Sequence, residues 1–153
     1  MLPLGKDEPD AHRKSVTDQM KVRNVKTNMI YSLCISETIK KTRNEEQYLV
    51  ATSWLDKSLK VYSLQKRGYA IKELLQYRNI CPEPVKLMKF TNKIDRLIVA
   101  DSDKIKILDL FTEDTTPLKN DFLAKIEAFD ISFDDVFLIC GTQMNIEIFD
   151  LRT

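Results

Sequence analysis

Histidine is almost absent. The single His12 lies in a charged N-terminal stretch, so a Ser-His or Cys-His nucleophilic pair has no positioned imidazole to use. Glycine is equally scarce. Gly5, Gly68 and Gly141 are too dispersed for a glycine-rich phosphate loop. The three cysteines, Cys34, Cys81 and Cys140, are odd in number and lack zinc-ligand spacing, and they read as buried reduced thiols of an intracellular protein. Charge of one sign is missing too: 24 basic and 23 acidic residues leave a net +1. No bulk field therefore favours nucleic acid or a membrane surface. No apolar run approaches the roughly 18 residues of a membrane span, and Met1 to Asp10 holds no signal-peptide core. These absences point away from an enzyme, a cofactor, a resident metal and a membrane.

What the chain does contain is alternation. Ile126 to Leu151 reads IEAFDISFDDVFLICGTQMNIEIFDL. Phe129, Ile131 and Phe133 are expected on one strand face, with Ala128, Asp130 and Ser132 on the other. Asp134-Asp135 marks a turn, since aspartate tolerates turn dihedrals and bonds nearby backbone. Val136 to Cys140 is a continuous apolar run of the kind buried on both faces. A second turn at Gly141-Thr142-Gln143 leads to the alternating Ile146 to Leu151. The whole reads as a three-strand antiparallel meander.

The same pattern stands twice upstream. Val85 to Leu110 reads VKLMKFTNKIDRLIVADSDKIKILDL, and Ile30 to Leu64 is a looser version with an insert at Glu37 to Gln47. The third strands close on Leu64, Leu110 and Leu151, about 46 and then about 41 residues apart, near the period of a propeller repeat. Tyr69 to Tyr77 is expected to be an outer strand, with a helix as the alternative because its alternation is irregular. Asn79 to Pro84 and Phe111 to Pro117 read as loops. Leu118 to Lys125 reads as a second outer strand.

The expected architecture is all-β: three WD-like propeller blades, at about 28–78, 79–125 and 126–153, forming an incomplete propeller behind a polar, disordered tail over 1–27. Rings use four to eight blades. Three units are therefore expected to be a piece of a longer propeller, with a partner-completed chain and a truncated chain as alternatives.

The units resemble degenerate WD repeats. The Trp-Asp position is filled by Tyr62-Ser63, Leu108-Asp109 and Phe149-Asp150, and the opening Gly-His is missing. The family's buried Asp-His-Ser-Trp network cannot form, so apolar packing between sheets must hold the units together. The segment order from Ile30 to Leu110 is similar to the non-catalytic WD subunit of the tRNA 7-methylguanosine methyltransferase. The residues that carry this likeness are Ile30 to Ser36, Asp56-Lys57-Ser58-Leu59, the basic Leu75 to Asn79, and Leu97 to Asp101. The family's Gly-His loop and Asp-Arg-Asp-Glu-Lys-Ile turn are replaced by Asn120 to Leu123 and by Gly141 to Ile146, which carry neither the Arg nor the Lys. The resemblance implies a scaffold that holds a catalytic partner, with RNA contact secondary, in the nucleus or cytoplasm. A generic WD adaptor, as in ubiquitin-ligase or checkpoint assemblies, is the alternative.

Loops of a meander emerge at its two rims. Trp54, Leu55, Ser102, Gln143 and Met144 are expected on one rim as partner-binding residues. For Trp54 a rim or core position competes with the role of partner anchor. Lys40, Lys41 and Arg43 are expected near the other rim. They form either a phosphate-contacting loop or a solvated hairpin tip offset by Glu45 and Glu46. Asp101/Asp103 and Asp134/Asp135 read as turn residues rather than paired catalytic carboxylates.

Overall fold

The computed structural model describes residues 28–37, 39–42, 45–65, 70–119, 122 and 124–152. The tail reading, His12 and Arg43 fall outside these residues. Among the described residues there is no helix, and hence none long and apolar enough to cross a membrane.

The chain is all-β; the described residues build three antiparallel sheets with no closed barrel among them. The first contains β1 (Ile30–Ile35), β2 (Ile39–Thr42), β3 (Glu45–Trp54), β4 (Ser58–Gln65) and β5 (Ile71–Arg78). Strands β1 and β2 lie end to end along β3: Ile35 pairs with Val50 and Ile39 with Gln47. The sheet therefore has four lanes, in the order β1-β3-β4-β5. The second contains β6 (Leu87–Phe90), β7 (Arg96–Ala100), β8 (Ile105–Asp109) and β9 (Thr115–Lys119) in sequential order. The third contains β10 (Ile126–Ile131), β11 (Phe137–Thr142) and β12 (Ile146–Asp150). β1 approaches β6, and β6 approaches β10, so the first strand of each unit lies beside the next. Repeated sheets side by side in this way are compatible with a β-propeller-like fold.

Two apolar layers hold the sheets together. Leu49, Ala51, Leu59 and Val61 of the first sheet meet Phe90, Leu97, Val99 and Leu108 of the second. Ile98, Ala100 and Ile105 on the second sheet's other face meet Ile126, Ile131, Leu138 and Cys140 of the third. Fully burying each large aliphatic side chain contributes about 1.5–3 kcal/mol, so these layers dominate the stability.

Each unit repeats one polar device. A hydroxyl just past the first strand accepts a backbone N–H of the strand beside it: Leu49 N, at the gap between β1 and β2 along β3, to Ser36 Oγ at 2.8 Å, and the opening N–H groups of β7 and β11, Arg96 N to Thr91 Oγ1 at 3.1 Å and Phe137 N to Ser132 Oγ at 2.8 Å. The hydroxyl satisfies a donor where the ladder is interrupted or has ended. The left-handed turn position also recurs, at Ile94 and Asp135, both with φ of 58°.

Three expectations need correction. The run through β11 is buried on one face only. Leu138 and Cys140 are inside, whereas Phe137 and Ile139 are 41% and 46% exposed, because no described sheet lies beyond them. Phe133 does not share a face with Phe129 and Ile131. The strand ends at Ile131, and Phe133 sits in the following turn, 93% exposed. A bulge between Ile126 and Ala128 places Ile126 on the buried side with Phe129 and Ile131. The outer strand of the second sheet is Thr115–Lys119, not Leu118 to Lys125. Pro117 fits there because β9 is an edge strand, where proline's missing N–H costs no ladder bond. The outer strand of the first sheet is indeed extended, over Ile71–Arg78, which removes the helix alternative.

Candidate interaction surface

Connections between the second and third strands of each sheet lie on one rim, at Leu55 to Lys57, Asp101 to Lys104 and Thr142 to Asn145. This brings the sequence-selected residues Trp54, Leu55, Ser102, Gln143 and Met144 to equivalent positions on three adjacent sheets.

Their surroundings differ. Trp54 closes β3 and is half-buried. Its Nε1 donates to Thr52 Oγ1 at 2.9 Å, and the Lys60 ammonium lies 5.9 Å from its ring centroid. Ser102 serves the frame, its carbonyl accepting Ile126 N at 2.9 Å. Gln143 does the same, with its backbone N donating to Lys125 O at 3.3 Å and its Nε2 to Glu127 Oε1 at 3.0 Å. Leu55 and Met144 are the apolar members left in solvent, 49% and 80% exposed.

The acidic residues at these turns cap backbone. Asp101 is buried, and its Oδ1 accepts Asp103 N at 3.1 Å and Lys104 N at 3.0 Å. Asp56 Oδ1 accepts Ser58 N at 2.9 Å and Ser58 Oγ at 2.6 Å. The Ser58 hydroxyl holds the Asp56 carboxyl below its usual range.

Between the first and second sheets, the same rim holds a cleft of about 360 Å³ lined by Lys57, Asn79, Ile80, Cys81, Lys104 and Lys106. The Lys106 ammonium is bonded to the Ile80 carbonyl, and Asp56, Asp101 and Asp103 in the adjoining turns offset the three lysines. Burial pushes the Cys81 thiol up to about 11 and the Cys34 thiol up to about 12. Both stay protonated at neutral pH and are poor nucleophiles. Sequence reasoning did not find this cleft, because its lysines come from separate turns.

On the opposite rim the hairpin of β2 and β3 places Lys40 and Lys41 on backbone that pairs Lys40 with Glu46. Nearby, an apolar groove of about 450 Å³ runs between the first two sheets, lined by residues that include Ile39, Leu74, Ile94, Leu110 and Phe111. Among the described residues no group of three or more His, Cys, Asp or Glu side chains is placed to hold a metal ion.

Several surface carboxylates are held below their usual values by specific donors. Lys86 and Gln143 act on Glu127, and Lys89 acts on Asp130. Ser132 acts on Asp134, and Arg152 takes Asp150 down to about 2. A lowered folded-state value means that the unfolded chain takes up protons first as pH falls. The stabilisation is therefore complete above the ordinary carboxylate range and is lost as pH falls through the lowered values, for Asp150 from 3.8 towards about 2. Urea midpoints should stay level from about pH 7 to 5 and fall progressively below about pH 4. A midpoint that rises on acidification would contradict this assignment.

No protein-family model and no curated protein sequence matches the chain.

Proposed function

We infer that this chain is a non-catalytic scaffold subunit of the WD-repeat type, with the catalytic subunit of a tRNA 7-methylguanosine methyltransferase as the first candidate partner. The observation that carries this reading is the rim itself. Asp101 caps its own turn, Ser102 ties the second turn to β10 and Gln143 ties the third turn to the start of its own sheet, and the three turns present Leu55 and Met144 to solvent. Rigid backbone with exposed apolar tips suits binding, because little ordering is required when a partner docks. The capped carboxylates and the protonated thiols supply no reactive group in this region. Such a subunit would orient and stabilise its partner. RNA would be a secondary contact, through Lys40, Lys41 and Arg43.

Co-purification of the chain from its native cells tests this. The methyltransferase catalytic subunit should be retained. The double variant Leu55→Asp/Met144→Asp should reduce retention about tenfold or more, since a charge placed in a docked apolar contact is costly, with an unchanged unfolding midpoint. A clean preparation with no catalytic partner would sink the methyltransferase reading.

The uncharged turn Gly141 to Ile146 favours a second reading. Without the Arg and Lys of the family's turn, the rim suits an adaptor in another assembly. That reading predicts the same loss on Leu55→Asp/Met144→Asp with a different retained protein.

A further inference from the structure

Among the described residues, the two terminal sheets each leave one face open, and both open faces repeat faces that are already in use inside the molecule. The second and third units match position for position at a spacing of 41 residues, and the Lys86–Glu127 and Lys89–Asp130 ion pairs join equivalent positions across neighbouring sheets. The second sheet holds the third through Ile98, Ile105 and Ile107. The equivalents in the third sheet are Ile139, Ile146 and Ile148, which point away from the second sheet and are 46%, 74% and 65% exposed.

The first sheet carries the matching half. Counting back from the repeated hydroxyl, Ile35 and Leu33 stand where the second sheet has Phe90 and Met88, and where the third has Ile131 and Phe129. Those four residues are the ones with which each later sheet docks on the sheet before it. Among the described residues, their counterparts in the first sheet join neither apolar layer: Leu33 is 60% exposed and Ile35 is 56% exposed. The open face of the third sheet is thus a copy of a receiving face, and that of the first sheet a copy of a docking face.

We propose that these faces are covered by a second copy of this chain, the first sheet of each copy seated on the third sheet of the other, in a closed two-fold pair of six sheets. Six lies within the four to eight sheets that form rings. Closure matters, because a docking face that meets a receiving face head to tail otherwise grows an open filament. It also forms two junctions at once, which is how modest faces reach the roughly 1,200–2,000 Å² buried in stable complexes. Charge does not oppose the contact. The positions of Glu127 and Asp130 correspond in the first sheet to Tyr31 and Cys34, so the two carboxylates would meet neutral side chains. The pairing rests on the stacked sheets alone and holds whichever catalytic partner the rim binds.

Sedimentation of the 153-residue chain, with Leu33→Asp and Ile148→Asp as variants, tests the pairing. The wild-type chain should run at ~36 kDa, twice its 17.8 kDa. Each variant should shift the monomer–dimer midpoint upward by about 100-fold or more, because a charge would be buried in an apolar junction. Circular dichroism should be unchanged, since both positions are solvent-exposed in the single chain. Mixing the two variants should give a heterodimer that is tighter than either variant alone but weaker than the wild-type pair, because one of its two junctions is intact and the other carries both aspartates. A wild-type monomer at tens of micromolar would overturn the pairing. So would a ladder of growing oligomers, a dimer insensitive to both variants, or a mixture that stays monomeric.

Discussion

Leu97→Ala is expected to lower the unfolding free energy by about 2–5 kcal/mol, and to loosen the junction between the first and second sheets more than the one beyond it. Leu97 is 0% exposed and faces the first sheet among Leu49, Val61 and Leu108. Its neighbour Ile98, also 0% exposed, points the other way, into the layer shared with Ile131 and Leu138. Ile98→Ala should cost a similar amount and loosen the other junction. Stacked repeats interact mainly with their neighbours, so the two losses should be separable by location. Hydrogen exchange should rise in β3 and β4 for Leu97→Ala, and in β10 and β11 for Ile98→Ala. Identical exchange maps for the two variants would show one merged core and refute two independent layers.

The contrast between Leu97–Ala100 and Phe137–Cys140 shows what a sequence reveals and what it conceals. Both are short apolar runs followed by a turn and then by alternating isoleucines, and both were legible as strands. Only the first is buried on both faces, because burial depends on whether a sheet lies beyond, and no local pattern encodes that. The third strands β4, β8 and β12 were legible for the same reason as the runs: period-two alternation is a property of the strand itself. Strand β9 was hidden by Thr115-Thr116-Pro117, which resembles loop chemistry until its edge position is known. Phe133 was misplaced because period-two counting continues on paper after the strand has ended. The repeated hydroxyl at Ser36, Thr91 and Ser132 was in plain view as residue types three times over. Its meaning lay in an N–H of the neighbouring strand, 13 residues away in the first unit and 5 in the others. Of the rim residues, the sequence located Ser102 and Gln143 but not their uses: Ser102 ties the second unit to the third, and Gln143 braces its own sheet at Lys125 and Glu127.

Asp135 carries the second large effect. Its sequence context, an Asp-Asp pair between two strands, predicts only a turn. In the folded chain its carboxylate is 4% exposed and reaches the turn of the neighbouring sheet. Oδ1 accepts Asn92 N at 2.8 Å and Asn92 Nδ2 at 3.1 Å, and Oδ2 accepts Lys93 N at 2.9 Å. One buried side chain thereby satisfies two backbone donors of another unit and pins the two turns together. Asp135→Ala removes these charge-assisted bonds, each worth about 1.5–3 kcal/mol, and strands the donors. It also replaces aspartate, which tolerates the left-handed region better than most residues, with alanine at a φ of 58°. Because the three bonds share one carboxylate and do not add, the combined loss should be about 3–5 kcal/mol by urea denaturation. Asp135→Asn separates the two causes: asparagine tolerates the left-handed backbone and keeps one acceptor oxygen, but it turns an N–H towards Asn92 or Lys93. It should therefore lose less than Asp135→Ala, and still clearly more than Asp134→Asn, whose carboxylate serves only its own turn through Ser132 Oγ and Val136 N. Equal midpoints for Asp135→Asn and Asp134→Asn would mean that this carboxylate link between the sheets contributes nothing.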